Sequence, residues 1–479
     1  MSSRQVSNNE NLQADVVVVG GGGTGLAAAV TAAGLGAKVI LLEKRRAAGG
    51  NTALSQGLFG AETRFQKDMN IDATRDECFK QAMSYAHYRL NGKLVRVFID
   101  KSAETIEWLE KKGMKFTRIF TVYPNQILRS QHIAEPFGTE VIRLLVKDCN
   151  DLGVQLLCDT PAKKILTDNS GKVTGLIAAT GTKKFEITTR SVIIGTGGFG
   201  GNKRLLKKYC PFYNENLVPG GLPLMGDGFL MATGAGAATE GLGTLQLEGP
   251  YCPGSRTLWH VASEPGTIWV NKKGERFNDE AASLNHFEGV YSMLRQPDKI
   301  SYTIIDEKIK QDFIQNGFWR TLGGRRVTQD ELERGFKIQV EKGEAKISNS
   351  WDEIAEWIGA NPKVLKATID EYNLFCDQGY DAIFAKDRRF LRPLRTPPYY
   401  AIKCYPRYLS TIGGIKINHH MEVLDSQDNP IPGLYAGGND TGGWEIDVYN
   451  AILSGTTVSF AITSGRISGE NAAKYVPGK

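Results

Sequence analysis

Several glycines and one acidic residue near the start of the chain have a spacing that is typical of a ligand-binding turn. Gly20, Gly22 and Gly25 follow the apolar run VVVV at G-x-G-x-x-G spacing, and Glu43 ends the next apolar run, KVILLE. The first glycine permits a tight turn, the second lets backbone N–H groups reach a pyrophosphate, and the third lets a helix pack closely on a strand. An acid at the end of the second strand can accept hydrogen bonds from ribose hydroxyls. The pattern therefore predicts dinucleotide binding.

The elements around these residues indicate how they are positioned. The run VVVV is apolar throughout, as is typical of a strand buried on both faces, and the glycines lead directly into an Ala-rich helix. Between residues 153 and 194, short β-rich runs such as VQLLC, AKKILTD and FEITTR are separated by turn residues. The sequence thus predicts a Rossmann-type α/β domain with a parallel sheet, and a β-meander that leads back into that sheet.

Length and composition narrow the class of protein. A chain of 479 residues is too long for one compact core, so we expect two domains or one domain with a large insertion. Lys and Arg outnumber Asp and Glu by 58 to 52 without a dense basic run, which argues against nucleic acid binding. Only four valines follow the polar N-terminus, so we expect no membrane span. The seven cysteines form no C-x-x-C pair, so we expect no metal site and a reducing cytoplasmic location.

Five further motifs follow one another along the chain. They are EKRRAAGGNT (residues 43–52), SVIIGTGGFGGN (191–202), MGDGFLMATGAGA (225–237), GTIWVNKKGERFNDE (266–280) and IPGLYAGGND (431–440). In this order, over nearly the whole chain, they resemble the FAD-dependent fumarate reductase and succinate dehydrogenase flavoprotein superfamily, including its 3-ketosteroid dehydrogenase branch. The resemblance implies that the dinucleotide is FAD.

The resemblance also implies which residues contact FAD. The flavin would be held without a covalent bond, because no His occurs in the segment GGNTALSQG, where membrane-bound relatives attach it. Besides the three glycines and Glu43, the implied FAD-binding residues are Gly23, Thr24, Lys44, Gly50, Asn51, Thr52, Ser55, Gly57, Ala162, Thr196, Gly197, Gly198, Asp227, Gly438, Asn439, Gly455, Thr456 and Thr457.

The last helix, GTTVSFAITSGRISGENAA, has a physical role in this assignment. Its N-terminus at Gly455, Thr456 and Thr457 offers unpaired N–H groups and the positive end of the helix dipole. These groups can stabilise the negative charge that gathers around N1 and O2 of reduced flavin. The flavin then accepts hydride more readily.

The same resemblance gives a domain layout. We predict an FAD-binding domain formed by residues 1–245 and 397–479, interrupted by a mixed α+β cap domain at residues 246–396 that closes at RPLRTPPYY. In this family the cap contributes to the substrate site.

The substrate is indicated by cations that the chain lacks. Fumarate reductases clamp two carboxylates with Arg and His. In this sequence the matching positions hold Leu284, Ser410, a residue near Gly249, and Ile452. A buried dicarboxylate would be left unpaired there. Aromatic residues nearby suggest a pocket for a larger, uncharged ring: Tyr123, Phe137, Tyr251, Trp259, Tyr408, Trp444 and Tyr449.

We therefore expect hydride transfer at flavin N5 that reduces or desaturates a C–C bond of an apolar cyclic substrate, such as a ketosteroid or an isoflavonoid. The direction is open, and so is the external electron donor or acceptor. One alternative is a reductase of a small unsaturated acid that uses Arg129 and Arg256 instead of the lost clamp. Another is a flavoprotein electron-transfer subunit.

Four side chains are candidates for the catalytic role of handling a proton. Tyr408 precedes the T-x-G-G element and Tyr449 precedes the last helix, and the ketosteroid dehydrogenases use tyrosines to polarise a ketone and to take a proton. His132 lies where relatives often have a loop His over the active site, and Arg129 lies beside it.

Overall fold

The computed structural model describes residues 12–121, 128–319 and 326–475. Their strands, in chain order, are β1 Leu12–Gln13, β2 Val16–Val19, β3 Val39–Leu42, β4 Gly57–Phe59, β5 Arg118–Phe120, β6 Gln131–Ile133, β7 Gln155–Leu157, β8 Ala162–Thr167, β9 Val173–Thr180, β10 Lys183–Thr188, β11 Ser191–Ile194, β12 Val218–Pro219, β13 Thr239–Glu240, β14 Leu245–Tyr251, β15 Ile268–Val270, β16 Ser301–Asp306, β17 Ala345–Ser348, β18 Tyr399–Thr411, β19 Gly414–Ile415, β20 Glu422–Leu424 and β21 Pro430–Ala436.

The α-helices of the same residues are α1 Gly23–Gly34, α2 Arg64–Asp68, α3 Arg75–Tyr85, α4 Gly92–Lys111, α5 Gly138–Asp151, α6 Lys203–Tyr209, α7 Asp227–Gly234, α8 Arg256–Ala262, α9 His286–Leu294, α10 Glu307–Asn316, α11 Gln329–Glu341, α12 Trp351–Ile358, α13 Pro362–Gln378 and α14 Thr456–Lys474. Short 3₁₀ turns connect several of them, at Gly50–Leu54, Glu280–Asn285, Pro297–Lys299, Arg388–Phe390, Gly438–Asp440 and Ala451–Leu453.

The chain divides into two compact units. The first consists of Met1–Pro211, Gly221–Gln246 and Leu409–Lys479, and the second of Phe212–Gly220 and Leu247–Tyr408. The division therefore differs from the predicted boundaries mainly by assigning residues 212–220 and 397–408 to the second unit.

Strand β18 explains the difference. Its residues Tyr399–Cys404 pair in antiparallel register with Ser301–Asp306, and Arg407 pairs with Val218 of β12. The proline-rich segment that we expected to close the insertion leads instead into this long strand, so the second unit extends to Tyr408.

The central sheet of the first unit has the strand order β20-β21-β11-β2-β3-β7. All neighbouring pairs are parallel except β20 with β21. Every residue of β2, β3 and β11 is buried, which is why these strands read as unbroken apolar runs. The predicted α/β class with a parallel sheet is confirmed.

Three smaller sheets accompany it in the first unit, one of them an antiparallel pair of β13 and β19. The predicted meander forms a sheet of order β1-β10-β9-β8, with β1 added in parallel to β10. A three-stranded sheet of order β4-β6-β5 carries His132 on its middle strand.

Helices α1 and α14 pack together through glycines. A Cβ at Gly465 would lie 2.3 Å from the Thr24 carbonyl oxygen, and one at Gly469 would lie 2.5 Å from the Ala28 carbonyl oxygen. Only hydrogen fits at these two positions, so the backbones of the two helices come into direct contact. The chain thereby places its last helix against the one that follows the G-x-G-x-x-G turn.

The second unit is built on a sheet of order β12-β18-β16-β15, to which β14 and β17 add by pairing with β18. A buried ion cluster holds its 3₁₀ turn at Glu280–Asn285 in place. The Arg276 guanidinium lies 2.8 Å from the Glu280 carboxylate and 2.7 Å from that of Asp381, while Lys386 lies 3.0 Å from Glu280. Arg276 is thus satisfied by acids of its own unit, in agreement with a structural role.

None of the helices within residues 12–121, 128–319 and 326–475 has both the length and the apolar character required to cross a bilayer. The polar N-terminal stretch lies outside the described residues.

Candidate active site

The turn after β2 is closely packed on one side and open on the other. A Cβ at Gly25 would lie 1.8 Å from the Gly20 carbonyl oxygen, so no side chain fits there. At Gly22 the nearest atom to a Cβ would be the Gly50 Cα, at 4.0 Å. Gly22 is the N-cap of α1 and provides no side-chain cap for the first N–H groups of that helix. Because Gly22 has no side chain to cover the start of α1, an anionic ligand can approach the positive end of that helix.

Glu43 is held by the backbone that surrounds it. Its carboxylate accepts the Gly21 N–H at 2.7 Å and the Arg45 N–H at 2.8 Å, and the residue is buried. A carboxylate has about four lone-pair sites, so acceptor capacity remains for ribose hydroxyls. The structure thus fixes the orientation of the predicted ribose acceptor.

The segment from Gly49 to Ser55 docks onto this turn. The Gly49 N–H donates to the Gly21 carbonyl at 2.8 Å, and the Thr52 hydroxyl accepts the Gly23 N–H at 3.1 Å. The Ser55 hydroxyl donates to the Thr52 carbonyl at 2.6 Å. Predicted FAD-binding residues from two motifs are therefore brought together by direct bonds.

Asn51 connects the same segment to a more distant stretch of the first unit. Its side-chain oxygen accepts the Leu222 N–H at 2.7 Å. Lys44, in the motif EKRRAAGGNT, forms an ion pair with Asp227, the first residue of α7. Both side chains are partly exposed. Ala162 begins β8 and is partly buried.

Asp440 organises the glycines that follow β11. Its carboxylate accepts the Gly197 N–H at 2.8 Å, the Gly198 N–H at 2.9 Å, and the Thr196 hydroxyl at 2.9 and 3.1 Å. The residue is fully buried, and this burial raises the pKa of Asp440 while the hydrogen bonds oppose the rise. Sequence reasoning missed Asp440, although it ends the quoted motif IPGLYAGGND. The predicted residues Thr196, Gly197 and Gly198 thus owe their positions to it.

An uncharged hydrogen-bonded chain lies next in sequence to this carboxylate. The Asn439 amide nitrogen donates to the Ser410 hydroxyl at 2.9 Å, and that hydroxyl donates to the Gln246 side-chain oxygen at 3.3 Å. Ser410 occupies a position at which the resemblance places a His clamp. The clamp position in the first unit is therefore filled by neutral partners, and Gln246 is a member that the sequence did not reveal.

Gly438 and Gly57 belong to the predicted FAD-binding set through their backbones. Gly438 has φ 61° and donates its N–H to the Ser464 hydroxyl of α14 at 2.9 Å. A Cβ at Gly57 would lie 2.4 Å from the His132 carbonyl oxygen, because β4 and β6 pair there.

The N-terminus of α14 begins at a glycine in the left-handed region. Gly455 has φ 87° and provides no side-chain cap, and its carbonyl accepts the Phe59 N–H at 3.1 Å. Its own N–H donates to the Tyr449 hydroxyl at 3.3 Å. The predicted tyrosine and the predicted helix terminus are thus in direct contact.

A buried polar cluster surrounds this contact. The Thr456 hydroxyl donates to the Glu445 carboxyl at 3.4 Å and is also hydrogen-bonded to the Tyr449 hydroxyl. Glu445, Tyr449 and Thr456 are each at most 5% exposed. Burial raises the pKa of Glu445 to about 8 and that of Tyr449 above its ordinary value. Sequence reasoning did not identify Glu445, because nothing in the letters WEIDVYN marks it as buried.

His132 and Arg129 do not have the surroundings expected of a loop over an active site. The His132 ring is fully buried, with one nitrogen 2.7 Å from the Thr63 hydroxyl and the other 3.1 Å from the Ser130 carbonyl oxygen. Burial lowers the pKa of His132 to about 4, so the ring is neutral near pH 7. Arg129 is exposed, and its carbonyl accepts from Gln66. Both nitrogens of His132 are therefore used within its own sheet region.

The second unit contains the other predicted positions. Tyr408 is buried, and its carbonyl accepts the Gly220 N–H at 2.7 Å. Leu284 lies partly buried in the 3₁₀ turn, and Gly249 lies in β14. Arg256 is exposed at the start of α8.

A cation close to the expected clamp positions is already paired within the second unit. The Arg407 guanidinium lies 2.8 Å from the Glu248 carboxylate and 4.6 Å from the centre of the Tyr251 ring. It also lies 5.6 Å from the Trp259 ring. Arg407 is therefore neutralised by an acid and covered by aromatic rings.

Two of the remaining aromatic residues on which the substrate argument depended are packed inside the first unit. Phe137 belongs to the hydrophobic core of the first unit, and the Trp444 ring stacks on Phe460 at 4.3 Å. Tyr123 lies outside the described residues.

The donor set of the first unit matches a bound dinucleotide with a polar ring system. Two polar atoms beside it, the Asn439 side-chain oxygen and the Asn450 side-chain nitrogen, are buried without a hydrogen-bond partner among the described residues. An unpaired buried polar atom costs about 1–3 kcal/mol, so a ligand that bonds to it is favoured. Together with the open face of the G-x-G-x-x-G turn, these atoms fit the phosphate and ring groups of FAD.

Comparison with known families decides the assignment. The family model for an FAD binding domain matches residues 15–456. The chain belongs to this family. Its glycine turn, the Asp440 carboxylate and Gly455 before α14 all lie within the matched residues.

Two curated relatives illustrate the range of the family. The chain is 32% identical over 445 residues to a vinyl phenol reductase of Lactiplantibacillus plantarum, which covers 89% of this chain and 90% of that protein. It is 29% identical over 438 residues to an NADH:fumarate oxidoreductase of Klebsiella pneumoniae, covering 90% of this chain and 44% of that protein. The chain therefore spans less than half of the second relative.

Two solved structures have a fold similar to that of this chain. The open conformation of a flavocytochrome c3 fumarate reductase matches with a TM-score of 0.78 at 26% identity, over 98% of this chain and 80% of that one. A 3-ketosteroid-Δ4-(5α)-dehydrogenase from Rhodococcus jostii has the same fold, with a TM-score of 0.76 at 22% identity, over 98% and 99%. The protein is an FAD-dependent oxidoreductase that acts on carbon–carbon bonds, with FAD as its cofactor.

Proposed function

We propose that this oxidoreductase reduces a C=C bond of an uncharged substrate in which the double bond is conjugated to a ring. The observation that carries the proposal is the neutral chain Asn439–Ser410–Gln246, which occupies a position where dicarboxylate reductases of the resembled superfamily place a cation. A carboxylate beside these groups would lack a fixed positive partner, whereas a hydroxyl or carbonyl group could exchange hydrogen bonds with them.

The arginines support the same proposal. Replacing the lost clamp with Arg129 and Arg256 would require both side chains to be withdrawn from water, and both are exposed in their units. Arg407 is engaged by Glu248 and by two aromatic rings. Burying an acid without a free guanidinium is unfavourable, so these positions favour an uncharged substrate.

The vinyl phenol reductase gives further support. The match covers 90% of the length of that relative, and its name specifies an uncharged ring with an attached alkene. A phenolic alkene is smaller than the steroids or isoflavonoids expected from the sequence, but it shares with them an uncharged ring next to the reacting double bond.

In the proposed reaction the chain must orient the alkene and deliver a proton. When bound and reduced by an external electron donor, FAD would be the source of the hydride for one alkene carbon. The Tyr449 hydroxyl delivers the proton to the other carbon, and the Gly455 N–H at 3.3 Å stabilises the oxygen that is left negative. The start of α14 adds the positive end of its dipole to the same place.

An anaerobic mixing experiment tests the proposed substrate class. Photoreduced holoenzyme is mixed with 4-vinylphenol, an isoflavone and a steroid enone, and in parallel with fumarate and acrylate, while the return of oxidised flavin absorbance is followed. We expect reoxidation by at least one of the uncharged compounds and none by the acids. A response to the acids alone would overturn the proposal in favour of an acid reductase.

A pair of tyrosine variants tests the proton donor. Tyr449→Phe should slow the alkene-dependent reoxidation about 10²–10⁴-fold, the range typical of lost general acid catalysis. Tyr435→Phe is the matched control, because Tyr435 is also a buried tyrosine of the first unit and its hydroxyl donates to the Asn471 carbonyl. Equal rates in the two variants would assign the proton to another group.

A further inference from the structure

We propose that Glu445 is a buried proton reservoir, which returns a proton to Tyr449 through the Thr456 hydroxyl after each turnover. The proposal rests on the proposed function, in which Tyr449 protonates the alkene. It assigns to Glu445 the role of a positioning and supply residue that acts on substrate only through Tyr449.

The path is continuous in the structure. Thr456 is hydrogen-bonded to the Tyr449 hydroxyl on one side and lies 3.4 Å from the Glu445 carboxyl on the other. All three residues are at most 5% exposed, so their hydrogen bonds to one another meet little competition from water. A hydroxyl can accept and donate at once, which is the property a relay requires.

The surroundings keep the Glu445 carboxyl protonated. The groups that act on it are the Asn450 N–H, at 3.4 Å, and the Thr456 hydroxyl, with no cation among them. Because burial without a cation disfavours the charged form, the pKa of Glu445 rises to about 8, and the carboxyl holds its proton near pH 7.

Other titratable groups near the loop do not change this. Tyr85 donates to the Tyr449 carbonyl oxygen, and Glu240 lies against Gly443, where a Cβ would be 2.6 Å from its carboxyl. Asp447 is paired with Arg89 at the surface. These groups leave the Glu445 carboxyl without a counter-ion within the described cluster.

The number of bonds also distinguishes Glu445 from a structural acid. Its hydrogen bonds from the Asn450 N–H and the Thr456 hydroxyl are both 3.4 Å long, at the weak end of hydrogen bonding, and the nearby Asn450 side-chain nitrogen is buried without bonding to it. A carboxyl kept only for stability would be expected to be saturated with donors. A loosely held neutral carboxyl is suited to giving up its proton.

The proton balance of the step is simple. The Tyr449 O–H bond breaks as a C–H bond forms on the substrate. The tyrosinate then takes the Thr456 hydroxyl proton while Thr456 takes the proton of the Glu445 carboxyl, so the negative charge ends on Glu445. Solvent reprotonates this carboxylate before the next turnover, and no electron moves in the relay.

The test compares a single turnover with many turnovers in the holoenzyme. In Glu445→Gln, reoxidation of the photoreduced enzyme by one equivalent of 4-vinylphenol should keep its rate, because Tyr449 starts with its proton. Steady turnover with reduced viologen as electron donor should fall at least about 10-fold, since resupply then limits the rate. Thr456→Val should also lower steady turnover, and Thr456→Ser, which keeps the hydroxyl, should restore it.

Glu240→Gln is the control, because Glu240 is another partly buried acid of raised pKa that lies outside the relay. Its steady rate should equal that of the wild type. If Glu445→Gln sustains wild-type steady turnover while Tyr449→Phe is slow, the relay is overturned and the proposed donor stands. If the wild type reduces no uncharged alkene, the proposed function fails first and the relay fails with it.

A measurement without turnover completes the test. Infrared difference spectra of the oxidised holoenzyme, recorded as a function of pH, should show a protonated carboxyl band that titrates near pH 8 and is absent in Glu445→Gln. A Glu445 carboxyl that is already ionised at pH 6 would overturn the proposal, whatever the kinetics.

Discussion

Asp440 and Glu445 are both buried acids on the same loop of the first unit, but they differ in the number and length of their hydrogen bonds. Asp440 accepts from two backbone N–H groups and one hydroxyl at 2.8–3.1 Å. Glu445 has two contacts of 3.4 Å. Burial raises the pKa of both; the rise for Asp440 is opposed by the hydrogen bonds from Gly197, Gly198 and Thr196, and the pKa of Glu445 rises to about 8. Donor number, rather than burial, therefore separates an acid that shapes backbone from one that can store a proton.

The largest effect is expected from removing the well-bonded acid. Asp440→Ala leaves the N–H groups of Gly197 and Gly198 and the Thr196 hydroxyl without their acceptor. Each unpaired buried donor costs about 1–3 kcal/mol. The free energy of unfolding should therefore fall several times further than it does for a substitution at the surface. Urea unfolding measures the loss, and the ratio of flavin to protein absorbance measures retained FAD. An unchanged midpoint and full FAD content would contradict the structural role.

A second variant tests the glycines that Asp440 holds. Gly198 has φ 89°, and a Cβ there would lie 2.2 Å from the Thr411 hydroxyl oxygen. Gly198→Ala should lower the free energy of unfolding by at least about 1–2 kcal/mol through backbone conformation alone, and by more through the clash. Gly34→Ala is the control, because nothing lies within 4 Å of that position at the end of α1. It should be neutral or stabilising by up to about 1 kcal/mol.

The weakly bonded acid should show itself in the pH dependence of stability. The folded pKa of Glu445 is about 8 and the ordinary value is 4.5, so between these the folded protein binds more protons than the unfolded chain. Its contribution to stability is fully present below pH 4.5 and is lost as pH rises toward 8, by at most about 1.4 kcal/mol per pH unit. Glu445→Gln should remove this decline.

Urea midpoints measured across that pH range, for the wild type and for Glu445→Gln, check the prediction. Parallel pH profiles for the two proteins would show that Glu445 is ionised in the folded state, and the contrast with Asp440 would then disappear.

The smallest effect is expected from a third acid of the same loop. Asp447 pairs with Arg89, and both side chains are about half exposed. An exposed pair contributes about 0–1 kcal/mol, and salt screens it. Asp447→Asn should therefore change the urea midpoint little, and less still in high salt. A change as large as that of Asp440→Ala would mean that the loop responds to any lost acid rather than to lost donors.

The local part of the FAD site could be predicted from the sequence. Gly20, Gly22, Gly25 and Glu43 act on chain that is near in sequence, and the spacing of strand, turn and helix is visible in the letters. The assignment of family, fold and cofactor followed from these residues and from the ordered motifs, and it is confirmed.

What the sequence did not show depends on contacts between distant residues. Asp440 acts on amides of residues 197 and 198, and Glu445 matters because the fold buries it. The His132 ring is held by Thr63, and no pattern in RSQHIAEPFG names that partner. The extent of the second unit was underestimated because RPLRTPPYY leads into a strand whose partners, β16 and β17, lie far earlier in the chain.

The glycine contacts between α1 and α14 have a consequence for biosynthesis. The ribosome completes α1 first, and α14 emerges only after the more than 400 residues between the two helices have been made. Until then the Gly-lined face of the nascent α1 has no partner, and the N-terminus that is expected to face the isoalloxazine does not exist. The contact between α1 and α14 can therefore form only after α14 has been synthesised, and a chain that stopped before α14 would lack both this contact and the helix N-terminus.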